Sequence, residues 1–172
     1  MNQTIKTILN RKSVRTYINK PINKKDLELI LKSAMAAPSG ADTRPWEFIA
    51  IQDKNMLQKL ADNLKYGKML KNAGAAIAIC GIPEKSVFEG DKYWICDCSA
   101  AAENILLAVE SMGLGAVWAS CYPNKERIRN AKRVLNLPKN VEPLCVISIG
   151  YPLKKQKPKN KFDSKKIHWN KW

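Results

Sequence analysis

Residues 93–118 read Tyr-Trp-Ile-Cys-Asp-Cys-Ser-Ala-Ala-Ala-Glu-Asn-Ile-Leu-Leu-Ala-Val-Glu-Ser-Met-Gly-Leu-Gly-Ala-Val-Trp, and the fold turns on how this stretch is built. Cys98, Ala101, Ala102, Ile105, Leu106 and Val109 recur at helical spacing and predict a helix over Tyr93–Met112. The opposite side carries Ile95, Ala100, Leu107 and Ala108, which leaves only a narrow polar stripe containing Asp97 and Asn104. A helix apolar nearly all round must be buried nearly all round. In a chain of 172 residues, one way to achieve that is packing against a second copy of the protein.

Working outward, Gly113-Leu114-Gly115 ends this helix and Ala116–Ser120 reads as a short strand. Upstream, Thr4–Asn10 is a short amphipathic helix with Ile5, Ile8 and Leu9 on one side, followed by an extended Arg11–Tyr17. Asn23 is placed to cap a helix whose stripe is Leu27, Ile30, Leu31, Ala34 and Met35, ending near Ala37 before the loop residues Pro38-Ser39-Gly40. Glu47–Gln52 alternates as a strand, Asp53 caps a helix, Lys68–Asn72 is a helical turn, and Ala75–Gly81 suits a fully buried strand. Asn124 caps a helix through Leu135, and Leu144–Ile149 is a last apolar strand. The order α-α-β-α-β-α-β-α-β, with antiparallel or mixed pairing, predicts one α+β domain over residues 1–172.

The charge is +15, from 30 Lys and Arg against 15 Asp and Glu, and it lies at the two ends. Residues 1–25 carry +7 with no acid, residues 154–172 carry +7 with Asp163 as the one acid, and residues 26–153 are left with +1. Two explanations remain open at this point. Both ends bind a polyanion such as nucleic acid, or both converge on one compact anion such as a phosphate. The longest apolar run, residues 73–82, is half of the roughly 20 residues a membrane span needs, and residues 1–6 have no apolar core of a secretory signal. Five cysteines, four of them in or beside apolar segments, read as reduced, buried thiols. Together these predict a cytoplasmic protein.

Gly113-Leu114-Gly115 begins like a dinucleotide fingerprint but has Trp118 at the third glycine position. It also runs from helix to strand, the reverse of the order that aims amides at a pyrophosphate. Cys96 and Cys98 face about 200° apart on a helix, so they form no ligand pair. His168 has no partner, no Ser-His-Asp arrangement is present, and no metal is expected. Arg11, Ser13 and Arg15 project to one side of an extended chain, and guanidinium forks match phosphate oxygens. Lys157, Lys159 and Lys161 repeat that spacing in the tail.

Five fragments in this order resemble the FMN-dependent nitroreductase family. They are Arg11-Lys12-Ser13-Val14-Arg15, Ala37-Pro38-Ser39-Gly40 leading to Arg44-Pro45-Trp46-Glu47-Phe48, and Gly67-Lys68-Met69-Leu70. The long helix into Gly113–Trp118 and Ile149-Gly150-Tyr151-Pro152 ahead of the basic tail complete the set. The resemblance implies an intertwined α+β homodimer: a central mixed or antiparallel sheet flanked by helices, with residues 154–172 forming a basic arm that reaches the partner subunit. It implies that Arg11, Lys12, Ser13 and Arg15 hold the phosphate, ribityl chain and pyrimidine edge of FMN, and that Lys159 and Lys161 complete the phosphate site. Pro38, Ser39 and Gly40, with Arg44 at the ring edge, would approach the flavin from the other subunit. Lys68 would lie near flavin N1 and O2, and the backbone from Trp118 to Ser120 would pass N5. Asp42 and Arg44 stand where the family commonly has Asn and Gln, and Ser120-Cys121 lacks a common glycine.

The function so implied is an NAD(P)H oxidoreductase that alternates hydride transfer at flavin N5 between NADH or NADPH and an acceptor such as a nitroaromatic or quinone. The flavin carries the chemistry and no catalytic side chain is assigned. The rival readings are a specialised member acting in flavin breakdown, dehalogenation or dehydrogenation, and a basic nucleic-acid-binding module. The last is disfavoured because Trp169 and Trp172 fall after the main lysine cluster rather than within it.

Overall fold

A computed structural model describes residues 1–87 and 92–172. Its helices are α1 (Gln3–Asn10), α2 (Lys24–Met35), α3 (Lys54–Asn63), α4 (Trp94–Ser111) and α5 (Lys125–Leu135). Its strands are β1 (Tyr17–Ile18), β2 (Trp46–Ile51), β3 (Ala75–Gly81), β4 (Gly115–Ser120) and β5 (Glu142–Pro152). Four helices start where a short polar side chain can take an orphan amide: Asn2, Asn23, Asp53 and Asn124 accept from the backbone N–H groups of Ile5, Asp26, Met56 and Arg127 at 2.7–3.0 Å.

All strand pairs are antiparallel, β2 with β3, β3 with β5, β5 with β4, and β1 with the end of β5. A parallel bridge, Ser13 to Ala116, lies outside the named strands. The sheet is covered on both faces, which is why β3 is buried at every residue and lacks alternation. Ile77, Ile79, Ile147 and Ile149 face Leu27, Ile30, Cys98, Ala102 and Ile105 of α2 and α4. Ala76, Ala78 and Val146 face Leu57, Leu60 and Ala131 of α3 and α5. Fully burying each branched residue stabilises the fold by about 1.5–3 kcal/mol.

Several expectations are corrected. The two-residue β1 was read only as extended chain, and β5 runs 11 residues rather than six, because Glu142, Pro143, Tyr151 and Pro152 also find partners on β3 and β1. Met35 is exposed, so the α2 stripe ends at Ala34. Cys96 is exposed while the other four thiols are buried. In the narrow polar stripe of α4, Asp97 is 5% exposed and Asn104 Nδ2 donates to Ser33 O of α2 at 3.0 Å. On the other side of α4, Ile95, Ala100, Leu107 and Ala108 are only half-buried within one chain. Among the described residues no helix is long and apolar enough to cross a membrane.

Candidate functional site

The two basic ends meet. Tyr17 pairs with Pro152 and Ile18 with Tyr151, and the Leu153 N–H donates to Thr16 O at 3.0 Å. That pairing launches the tail alongside the segment that precedes β1. The segment itself is fixed against β4 by the Val14 N–H donating to Ala116 O at 2.9 Å. Val14 is buried while Ser13 and Arg15 point out, the alternation expected of extended chain. Gly115 makes the approach possible, since a Cβ there would stand 2.7 Å from Val14 Cβ. Tyr17 anchors the corner, its hydroxyl bonded to Val14 O and to Ser148 Oγ at 2.8 Å. Burial pushes the Tyr17 phenol up to about 12, against smaller opposing effects of Ser148 and Arg15.

The result is a pocket of about 290 Å³ lined by Arg11, Lys12, Ser13, Arg15, Gln156, Lys157, Lys159 and Lys161, with no carboxylate among the described lining residues. Its cations are not equivalent. The Lys12 ammonium donates to Glu110 Oε1 and Oε2 at 2.9 and 3.2 Å, and Arg11 Nε lies 3.3 Å from Glu103 Oε1. Both acids are on α4, so that helix restrains one edge of the pocket. Arg15, Lys157, Lys159 and Lys161 have no ion-pair partner among the described residues.

The other sequence-derived residues lie apart from this pocket. Pro38, Ser39, Gly40 and Arg44 form a loop at the opposite end of α4, where Gly40 N–H donates to Asp97 Oδ1 at 3.0 Å. Asp97 and Glu110 are 13 residues apart on one helix, about 20 Å along its axis. One chain therefore does not unite the loop with the pocket. Ala41, Asp42 and Arg44 all have positive φ, of 45°, 56° and 47°. Asp42 and Arg44, two of the departures from the family pattern, pair with each other, Arg44 Nε donating to Asp42 Oδ1 at 2.7 Å. That bond holds the Asp42 carboxyl below its usual range and raises Arg44.

Lys68 is exposed at the start of a 3-10 turn, Lys68–Asn72, and lines a separate cavity of about 590 Å³ with Lys65, Asn124, Arg127 and Asn130. Trp118 and Ser120 share one face of β4, paired with Ile147 and Cys145 of β5. Gly113, at φ 72°, makes a helix-to-strand turn, as read from its order in the chain. Burial pushes the Cys80 and Cys121 thiols up to about 12 and raises Cys98 and Cys145 as well. Among the described residues no group of three or more His, Cys, Asp or Glu is arranged to hold a metal ion. His168 stacks on Trp172 in the exposed tail.

Sequence reasoning missed the bond between Asp97 and Gly40. The signal for Asp97 was present, as an acid at helical spacing from Asn104 within an otherwise apolar surface, but spacing alone does not say whether a polar stripe meets water or backbone.

The model of the nitroreductase family matches residues 8–68 and 62–151. The chain belongs to the nitroreductase family. It is similar over its whole length to a solved Parabacteroides distasonis protein provisionally named an NADH dehydrogenase/NAD(P)H nitroreductase, at 47% identity and a TM-score of 0.94, covering all of both chains. An Archaeoglobus fulgidus protein with the same provisional name is 41% identical, again over 100% of both. A solved FMN-dependent nitroreductase of Clostridium difficile is 34% identical, with a TM-score of 0.89, over 98% of this chain and 99% of that one. The α+β nitroreductase fold expected from the family resemblance is the fold observed.

Proposed function

We propose that this chain is an FMN-dependent NAD(P)H oxidoreductase that works as a homodimer. The observation that carries the reading is the convergence of both basic ends on one strongly cationic pocket. A polyanion-binding surface would spread this charge, whereas Arg15, Lys157, Lys159 and Lys161 enclose a volume suited to a phosphate and part of a ribityl chain. About 290 Å³ is below the range of pockets that enclose a whole nucleotide, so the flavin ring would extend beyond it. The donor set fits the phosphate end of FMN.

On this reading Arg15, Ser13, Lys159 and Lys161 hold the phosphate, while Arg11 and Lys12 help only as far as Glu103 and Glu110 allow. Lys68 supplies a cation at the pyrimidine edge of the ring, where it favours negative charge. Main-chain N–H groups from Trp118 to Ser120 border N5. Pro38, Ser39, Gly40 and Arg44 come from the second copy, which resolves the separation of about 20 Å along α4 within one chain. FMN, when bound, would supply the redox chemistry, a two-electron exchange between NADH or NADPH and a nitroaromatic, quinone or similar small acceptor. The protein's part is to position the ring and set its electrostatics. Its relatives' names include NAD(P)H nitroreductases and FMN reductases.

The dimer is supported by apolar surface that one chain leaves open. Ile5, Ile8 and Leu9 of α1 are exposed, α4 is half-covered, and the arm 154–172 holds Phe162 and Trp169 at 75% and 84% exposure. That arm reaches the partner subunit on this reading. The test is the purified protein itself. We expect yellow protein that elutes as a dimer and bleaches on anaerobic addition of NADH or NADPH. Colourless protein that takes up no FMN on reconstitution would overturn the reading.

A further inference from the structure

Asp97 is a carboxylate placed where a carboxylate is costly. It lies in the first turn of α4, almost fully buried, with Oδ1 accepting from the Gly40 N–H at 3.0 Å. Its Oδ2 is buried and has no hydrogen-bond partner among the described residues. Such a group persists where its geometry matters more than its contribution to stability.

What it holds is a strained loop. Ala41, Asp42 and Arg44 occupy the left-handed region without being glycine, a conformation that persists only when its surroundings impose it. Most of the loop's hydrogen bonds close on the loop itself: Arg44 N–H to Ser39 Oγ, Thr43 Oγ1 to Gly40 O, and Arg44 to Asp42. They fix its shape but not its place. The bond to Asp97 leaves the loop and ties it to α4. Packing acts from another direction, since a Cβ on Gly40 would stand 2.9 Å from Val87 Cγ1 and 3.3 Å from Tyr93 Cδ1. Gly40 is therefore held between a buried acceptor and an apolar wall.

We propose that Asp97 is a positioning residue: by holding the Gly40 amide it sets where residues 39–44 meet the flavin bound to the other subunit. This rests on the flavin reading above, in which that loop borders the ring. Asp97 touches neither flavin nor substrate, and it acts through Gly40.

The test compares Asp97→Ala with Asp97→Asn, which keeps an oxygen acceptor at the same place, in the full-length protein. Amide hydrogen exchange across residues 36–46 reads the tether directly, with or without flavin. Asp97→Ala is expected to speed it by about tenfold or more, with Asp97→Asn within about threefold of the parent. In the FMN-loaded dimer, Asp97→Ala is expected to shift the visible circular dichroism of the flavin and lower kcat/KM for the acceptor about tenfold, with Asp97→Asn restoring both. Gly40→Ala, which displaces the same amide from the side of Val87, is expected to give the same spectral shift and keeps the test alive if Asp97→Ala does not fold. The proposal is overturned if Asp97→Ala lowers only the melting temperature, leaving exchange, spectrum and kcat/KM unchanged, or if Asp97→Asn is as impaired as Asp97→Ala. A parent protein that binds no FMN would sink the flavin reading instead, and accelerated exchange in Asp97→Ala would then still establish the tether.

Discussion

Replacing Arg15 with alanine removes one cation from the pocket with little expected disturbance elsewhere. Its side chain is exposed and carries no ion pair among the described residues, so no buried acid is orphaned. A hydrogen bond to a charged partner contributes about 1.5–3 kcal/mol, and the exposure of Arg15 argues for the lower end. About 1.5 kcal/mol corresponds to roughly tenfold weaker binding of FMN. Lys12→Ala should behave differently. It strands Glu110 in a half-buried position, so the expected effect is a lower melting temperature, with a smaller change in affinity. The assay is titration of the flavin-free protein against FMN and riboflavin, followed by flavin fluorescence. Riboflavin lacks the phosphate, and Arg15→Ala should change its affinity by less than about threefold. The FMN affinity should also fall with added salt, more steeply for the parent than for Arg15→Ala. Equal losses for FMN and riboflavin, or no loss for either, would refute the assignment of Arg15 to the phosphate.

Three further outcomes follow from the geometry. Truncation after Leu153 removes no residue buried within one chain, so far-UV circular dichroism should stay unchanged while FMN affinity falls by about 100-fold or more, read by the same titration. Gly115→Ala forces a Cβ into Val14 and should push the Arg11–Arg15 segment off β4, costing about 1–3 kcal/mol of stability and weakening FMN binding together, as read by denaturant unfolding and fluorescence. Cys96 is the one cysteine exposed in a single chain and lies on the open face of α4 with Ala100 and Leu107, so an aromatic disulfide reagent should reach it faster as the dimer is diluted, and reach five thiols after denaturation. The same burial makes the fold alkali-sensitive. Tyr17, Cys80 and Cys121 hold their protons to about pH 12 when folded but release them near 10 and 9 when unfolded. Their contribution is complete below pH 9 and is lost between about 9 and 12, so the melting temperature should fall across that window.

Most of the fold was legible because the signals were local and redundant. Asn23, Asp53 and Asn124 mark helix starts by chemistry that operates within four residues, and each makes the expected bond. The continuous apolar run of β3 and the all-round apolarity of α4 state their burial without reference to partners. What was missed depends on contacts distant in sequence. The first strand is two residues long and exists only because the end of β5 is there to pair with it. Positive φ at Ala41, Asp42 and Arg44 contradicts their local preferences and is imposed by the loop's closure. Asp97 reads only as part of a narrow polar stripe, and its partner Gly40 lies 57 residues earlier in the chain. The convergence of the basic ends was legible as one of two options. The pairing of Tyr17 with Pro152 favours the compact anion over the polyanion.

The long last strand has a bearing on how the molecule is made. β1, β3 and β4 all pair with β5, so beyond the β2–β3 pair the sheet cannot close while residues 142–152 are still inside the ribosome. The helices can form as they emerge, but the strands already synthesised must wait with unpaired edges. The pocket waits longer still, because one wall comes from residues 11–15 and the other from residues 156–161. On the flavin reading, cofactor uptake in this pocket would therefore report that residues 11 to 161 have emerged and folded.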